Sequence, residues 1–468
     1  MYSPLARRAM TAETRGQNSW VNFGPFADFN KTANAAETEY APQKVGLLPE
    51  WVSTDGFLGG ANSGLPVGQD APQALDQGPA PQPAADTISK LQDTVPGIAG
   101  VAPYLTSEER ARLKKASATK LVAFVQSLPS ADEMASVAWA GRAKRGWYER
   151  SANALVEIFG AQDATRFAAL LAALSPQTSV ESNTFNALAT WVNWNAAGRP
   201  TDRKSIIDVM GESVEGDKGT ASILDAWINN AVRALASDSP TDLDLSGAKV
   251  NSFFANLVGA VDEVTNDAWM GAYAAIPASK LRGPEGADEV GRVERKGIGY
   301  IAMHAVVRRA AEVLSQRTGE TWTPAEVQET VWSWAKTLYE KRDRADATTE
   351  QILEMGGLRH EDIATTPDFA LLFTSGVFRR ILEAGGYGQE LEVVAAREQG
   401  DRRAVPEGNA ADAEGAGVAE DVFSTDLQSA ARRLEQVRND RLARAAEKRG
   451  KAEPAEQFTL FQSEAPSN

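Results

Sequence analysis

Lys249 and Asp267 are the residues of this chain whose types and spacing suit acid–base work. Asp267 lies eighteen positions after Lys249, with an apolar segment between them that carries Val250, Phe253, Phe254, Leu257 and Val258. A turn, one helix and a return turn bring both side chains to the same end of a helix pair. There an ammonium lowers the pKa of a neighbouring carboxylate and keeps it charged. Such a carboxylate can deprotonate a nucleophile or stabilise a cationic transition state. Each residue also has a plain structural reading, which ranks first on spacing alone. Asp267 precedes Ala268-Trp269-Met270 and fits a helix N-cap, with Thr265 and Asn266 as competitors. Lys249 fits an exposed first-turn position.

Composition leaves the chemistry to such groups. The 468 residues contain no cysteine, which excludes disulfides, thiolate zinc sites, iron–sulfur clusters and a cysteine nucleophile. With only 2 histidines, a histidine-rich metal centre or a Ser-His-Asp triad is not expected. His304 falls on an apolar helix face and reads as a satisfied core residue, and His360, between Arg359 and Glu361, reads as surface. The net charge of -15 argues against a non-specific nucleic-acid coat protein. Local basic clusters remain: Arg110, Arg112, Lys114, Lys115 and Lys120; Arg142, Lys144, Arg145 and Arg150; and Arg292, Arg295, Lys296, Arg308 and Arg309. Taken singly, each reads first as a solvated helix face. No window reaches the apolar length of a membrane span, and Met1–Arg8 lacks the apolar core of a signal peptide, so a soluble, intracellular protein is expected.

The elements that must position the pair are helical, and the expected fold class is mainly α. Residues 1–100 show no sustained period and read as an extended or disordered arm, with a Pro/Gly-rich linker from Gly59 to Ala85. Helical spacing opens at Thr106-Ser107-Glu108-Glu109, where Thr106 or Ser107 can cap. It continues through Lys115–Gln126, Ala131–Ala143, Trp147–Phe159, Asp163–Ala173, Val180–Ala197 and Thr220–Ala236. Gly297–Arg317, a helix opened by Thr323-Pro324-Ala325-Glu326, and Asp368–Glu383 follow. The helical domain is expected over 101–394, with 395–468 holding a linker, a charged helix near Thr425–Lys448 that is polar nearly all round, and a flexible tail.

Three motifs in order resemble the helix-hairpin-helix DNA glycosylases. Leu174-Ser175-Pro176-Gln177-Thr178 is similar to an early segment of that family, Ser246-Gly247-Ala248-Lys249 to its hairpin, and Val264-Thr265-Asn266-Asp267-Ala268-Trp269-Met270 to the turn that supplies its catalytic aspartate. The resemblance covers roughly Trp147 to Tyr273. It implies that Asp267 is the catalytic carboxylate, that Lys249 matches the nucleophilic lysine of lyase-type members, and that Gln177 enters the space left by a flipped base. The hairpin departs from the family in lacking the Gly-x-Gly whose backbone N–H groups grip a phosphate, and the Cys cluster of some members is absent.

Ser175-Pro176-Gln177-Thr178-Ser179, Lys249-Val250-x-Ser252-Phe253-x-x-Asn256-Leu257 and Thr323-Pro324-x-Glu326-x-Gln328 further resemble bacteriophage thymine-hypermodification enzymes. That clade covers amino acid:DNA transferases and α-glutamyl-putrescinyl-thymine pyrophosphorylases. The resemblance implies exchange of a phosphate or pyrophosphate on 5-hydroxymethyl-uracil in DNA for an amine such as an amino acid, possibly glycine. It implies no cofactor or metal, duplex or locally opened DNA as partner, and the host cytoplasm as location. Displacing phosphate requires cations at the leaving group, for which Lys249 with Arg145 or Arg150 are candidates. Trp147, Tyr148 and Trp269 are candidates to stack on an extruded base, though each also fits an ordinary core aromatic. Ser175, Thr178, Asn183, Asn256 and Gln328 complete the expected substrate or DNA contacts, with Gln328 and Trp332 also expected to face the core. Gln457, Leu460 and Phe461 resemble a sliding-clamp peptide, against a tail folded back on the enzyme. The rival readings are a DNA glycosylase and a non-catalytic DNA-binding adaptor.

Overall fold

The computed structural model describes residues 84–212, 223–240, 243, 245–276, 278–281, 296–344, 346–354, 358, 368–404 and 413–451. It is mainly α, with no β-strand among the described residues. The arm before residue 84, His360, Arg292, Arg295 and the clamp-like Gln457, Leu460 and Phe461 lie outside them.

Among the described residues, three hydrophobic clusters pack the helices, and the two larger ones define two lobes. The first surrounds the helix Trp147–Leu174, whose residues from Phe167 to Leu174 are all buried. A helix apolar all round needs neighbours on every side. Val180–Ala196, Asp225–Ala236, Ala248–Leu257 and Phe369–Phe373 supply them. Gly160, at φ 73° and ψ 157°, interrupts this rod, so the two helices expected from the sequence are the two sides of one glycine kink. At the start of the rod, the amides of Gly146 and Tyr148 donate to the Glu329 carboxylate.

The second core joins Ala131–Ala140, Ile298–Thr318 and Pro324–Arg344 to Met270 and Tyr273. A Cβ on Gly141 would stand 2.2 Å from the Thr330 carbonyl oxygen. The chain leaving Ala131–Ala140 therefore passes the Pro324–Arg344 helix at a distance only glycine allows. The expected boundaries at Thr106 and Thr323 are both capping boxes. Thr106 Oγ1 accepts from Glu109 N at 3.1 Å while Glu109 Oε2 accepts from Thr106 N at 2.7 Å. Thr323 and Glu326 repeat the arrangement.

Several segments differ from the sequence reading. Helical structure begins before residue 101: Ala84–Gln92, Ile98–Val101 and the turn between them bury Ile88, Leu91, Val95 and Ile98 against Leu121, Val122, Ile301 and Ala302. These helices are short and their apolar spacing does not run on from one to the next, so no long period marks them. Asp368–Glu383 divides into Phe369–Phe373 and Gly376–Ala384, with Asp368 capping the first. The expected linker from Ala395 is the continuation of a helix, Gly388–Ala404. The charged helix runs over Ala413–Lys451 and is not polar all round. It buries Ala430, Ala431 and Leu434 in the second core, and Arg433 grips Glu133 at 2.7 and 2.8 Å.

The Ala248–Leu257 helix starts at the seam between the lobes. Its first residue, Ala248, packs in the second core, whereas Val250, Phe253, Phe254 and Leu257 pack in the first.

Candidate active site

Gly247 turns the chain into this helix at φ 98° and ψ 128°, a backbone that favours glycine. The preceding residue is clamped by one side chain: Ser246 N donates to Asn230 Oδ1 at 2.7 Å, and Asn230 Nδ2 donates to the Ser246 carbonyl at 2.9 Å. Lys249 is thus aimed at the end of the Trp147–Leu174 rod. Its Nζ donates to Ser175 Oγ at 2.6 Å and lies 4.8 Å from the centre of the Phe253 ring. The Ser175 hydroxyl in turn donates to the Ala172 carbonyl at 2.8 Å. Two residues on, Gln177 adopts φ 65°. A left-handed conformation at a residue with a Cβ costs roughly 1–2 kcal/mol and marks a place where the surroundings over-determine the backbone. Trp227 Nε1 contributes by holding the Pro176 carbonyl at 2.9 Å, and Thr178 Oγ1 closes the turn onto the Leu174 and Ser175 carbonyls.

The loop that returns from Leu257 is fixed by Asn256, which is buried. Its Nδ2 donates to the Ala260 and Glu263 carbonyls at 2.8 and 3.0 Å, and its Oδ1 accepts from Thr265 Oγ1 at 2.6 Å. This delivers Asp267 to the head of the short helix Ala268–Tyr273. The N-cap reading of Asp267 holds, because Oδ1 accepts from Trp269 N at 2.8 Å and Met270 N at 3.2 Å. The second oxygen has a different partner, as Oδ2 accepts from Trp332 Nε1 at 2.8 Å.

The carboxylate and ammonium act on each other through space rather than as a contact pair. Burial lowers the Lys249 ammonium to about 8, against the opposing pull of Asp267. Burial also pushes the Asp267 carboxyl up from its ordinary value, opposed by Lys249, the Trp332 indole and the amides of Met270 and Trp269. Both residues retain partial exposure while their charged ends are enclosed by protein. Each group is thereby closer to neutral pH than its free counterpart, the condition a proton-transfer site needs.

The remaining expected residues divide into those at this site and those behind it. Ser175, Gln177 and Thr178 form the turn under Lys249. Trp269 is half-buried and packs edge-on against Tyr339 at 5.2 Å. Trp147 and Tyr148 are core aromatics and are not presented for stacking. Trp147 packs on Tyr148 and Phe369, each at 5.2 Å, and Tyr148 donates to Gln328 Oε1 at 2.7 Å. Gln328 and Asn256 are buried braces, and Asn183 Nδ2 is held by the Leu171 carbonyl at 3.0 Å. Arg145 and Arg150 are not phosphate clamps in this arrangement. Arg145 pairs with Glu320 and Glu326 above the Trp322 ring, and Arg150 pairs with Asp368 at 2.8 Å. Their carboxylate partners come from distant sequence, which the local basic spacing could not reveal.

Trp332 packs against the second core, as its spacing leads one to expect, and its indole N–H also reaches the aspartate. A polar network behind the loop joins residues far apart in sequence, which no local spacing reveals. Lys296 Nζ meets Glu263 at 3.0 Å, Ser252 Oγ donates to the same carboxylate at 2.7 Å, and Tyr300 OH donates to Ser252 Oγ at 3.0 Å. His304 is fully buried, as expected of a core histidine, with Nε2 2.9 Å from the Val264 carbonyl and Nδ1 3.5 Å from Glu109. Arg308 closes on Glu109 at 3.2 Å. Burial alone would raise both carboxyls, yet each ends at about 2. For Glu109 the His304 contact and then Arg308 and Lys296 prevail, and for Glu263 Lys296, His304 and Ser252 do. The basic residues Lys296 and Arg308 are therefore internal partners rather than a surface patch.

Residues 110–338 match the model of a family of unknown function, DUF7178. This span is similar to that family and contains both Lys249 and Asp267. No curated protein and no solved structure matches the chain. No group of histidine, aspartate and glutamate suited to a metal ion occurs among the described residues. No helix there is long and apolar enough to cross a membrane.

Proposed function

We propose that this chain is a DNA-modifying transferase on a helix-hairpin-helix glycosylase-like scaffold. It replaces the phosphate or pyrophosphate on a 5-hydroxymethyl-uracil of DNA with an amino acid or amine, as a step of thymidine hypermodification that shields phage DNA from restriction. The amine nitrogen attacks the C5 methylene, the carbon–oxygen bond to the phosphate breaks, and Asp267 takes the proton released from nitrogen. Lys249 offsets the charge on the departing phosphate. The observation that supports this reading is that Lys249 and Asp267 lie at the seam of two lobes and feel each other's charge through space, each shifted toward neutral pH.

The low pKa of Lys249 favours a second reading, a glycosylase of the lyase type in which its neutral amine attacks the sugar. One experiment separates the two. Purified protein is incubated with DNA containing 5-phosphomethyl- or 5-pyrophosphomethyl-uracil and glycine or other amino acids, then digested to nucleosides and weighed. Amino-acid adducts are the expected product. Free base and abasic sites would establish the glycosylase instead. Unchanged DNA that still binds would leave a non-catalytic adaptor.

A further inference from the structure

The long helix Ala413–Lys451 changes character along its length. From Asp426 to Val437 it is fastened to the second core, through Ala430, Ala431, Leu434, the Arg433–Glu133 pair and the Arg342–Glu435 pair. Beyond that, every residue from Leu442 to Glu447 is exposed, so the helix runs out past the body. In this chain of net charge -15, the stretch 438–451 carries Arg438, Arg441, Arg444, Lys448, Arg449 and Lys451 against only Asp440 and Glu447. At 100° per residue the six cationic positions fall within an arc of about 160°, with both acidic positions beyond one edge. A randomly mixed solvated face would interleave the signs.

The root of this stripe touches the candidate site. Arg441 donates to Tyr339 OH at 3.0 Å, Tyr339 packs on Trp269 at 5.2 Å, and the Trp269 amide is bound to Asp267 at 2.8 Å. From Arg441 to Lys451 the helix extends about 15 Å, which matches roughly four steps of one DNA strand at 3.4 Å each.

We propose that residues 438–451 form a DNA-binding arm that lies along the phosphate backbone beside the base held near Asp267. The arm deepens the DNA-directed reading above and rests on it for its choice of partner. Its position explains how an acidic protein engages a polyanion: the cations are concentrated on one projecting element instead of being spread over the body. Counterion release makes the contact measurable, since each neutralised phosphate contributes about 0.9 to the slope of log K against log salt.

The test is duplex-DNA binding by fluorescence anisotropy across a salt series, using the full chain. The triple variant Arg438→Gln, Arg444→Gln, Lys448→Gln removes three charges with residues that keep helix propensity, and leaves Arg441 in place. The control Lys114→Gln, Lys115→Gln, Lys120→Gln removes the same charge from a different face. The arm variant should lower the salt slope by about 2–3 and weaken binding tenfold or more at low salt, while the control stays near wild type and both keep the wild-type circular dichroism and Tm. Equal losses in both variants, an unchanged arm variant, or a wild-type chain that binds anionic phosphatidylserine vesicles but not DNA would each overturn the proposal. Retained DNA binding with no nucleoside product would sink the transferase reading and leave the arm standing.

Discussion

The Lys249 ammonium donates to the Ser175 hydroxyl over 2.6 Å, so the head of one helix is tied to the end of the central rod. The contact favours the charged form of an amine that burial works to neutralise. Ser175→Ala should therefore move the Lys249 pKa further below about 8. The alkaline limb of a pH–rate profile, or of reductive methylation followed by NMR, reads the shift directly.

The direction of the Lys249 titration distinguishes the two chemistries. As the cation beside a departing phosphate it acts when protonated, so transferase turnover should fall as pH rises through about 8, with unprotonated amine held constant. As a nucleophile it acts when neutral, and base excision would instead increase through the same pH.

Asp267→Asn keeps one oxygen for the N-cap but turns an NH2 toward the Trp332 indole N–H, so a stability loss of about 1–3 kcal/mol should accompany a drop in turnover of about 10²–10⁴, the range for loss of a general base. Trp332→Phe removes the indole donor that lowers the Asp267 pKa. The acid limb of the rate profile should then move to higher pH, with the fold intact by circular dichroism.

Glu109 and Glu263 have folded pKa values of about 2 against 4.5 for a free glutamate. A depressed carboxylate contributes stability that is complete above the unfolded value and lost as pH falls through the folded one. The unfolding free energy from urea titrations should thus decline between about pH 4.5 and 2, by an amount on the order of a few kcal/mol. Glu263→Gln should flatten that dependence at the cost of lower stability at neutral pH.

Gly141→Ala places a methyl against the Thr330 carbonyl, where 2.2 Å leaves no room. Separating the Pro324–Arg344 helix from its neighbour should cost about 1–3 kcal/mol, visible as a lower Tm. The same substitution at exposed Gly100, whose Cβ would meet nothing within 4 Å, is the control.

Much of this arrangement was legible in the sequence because it depends on local period and capping. Thr106, Thr323 and Asp267 announced their helix starts, and the apolar run from Val250 to Val258 announced the helix between the two ionisable groups. The turns at Ser175 and Gly247 were legible for the same reason. What was not legible depends on partners far along the chain. Arg145 and Arg150 look like a basic patch until Glu320, Glu326 and Asp368 are brought to them. Trp332 packs on the core as its spacing indicates, but no local signal shows that its indole reaches the Asp267 carboxylate. The helix Ala413–Lys451 looks polar because the buried residues among its described side chains, 426–447, are two alanines and one leucine among many charges, too few to set a period.

The partition of Asp267's oxygens has a stereoelectronic consequence. Oδ1 is saturated by two peptide amides and Oδ2 already accepts an indole proton, so a single lone pair is left to receive another. An approaching N–H must arrive along that one direction, from the side the Trp332 ring leaves open. A molecule seated with the wrong edge forward would face a carboxylate with nothing to offer it, and selectivity between poses would need no additional wall.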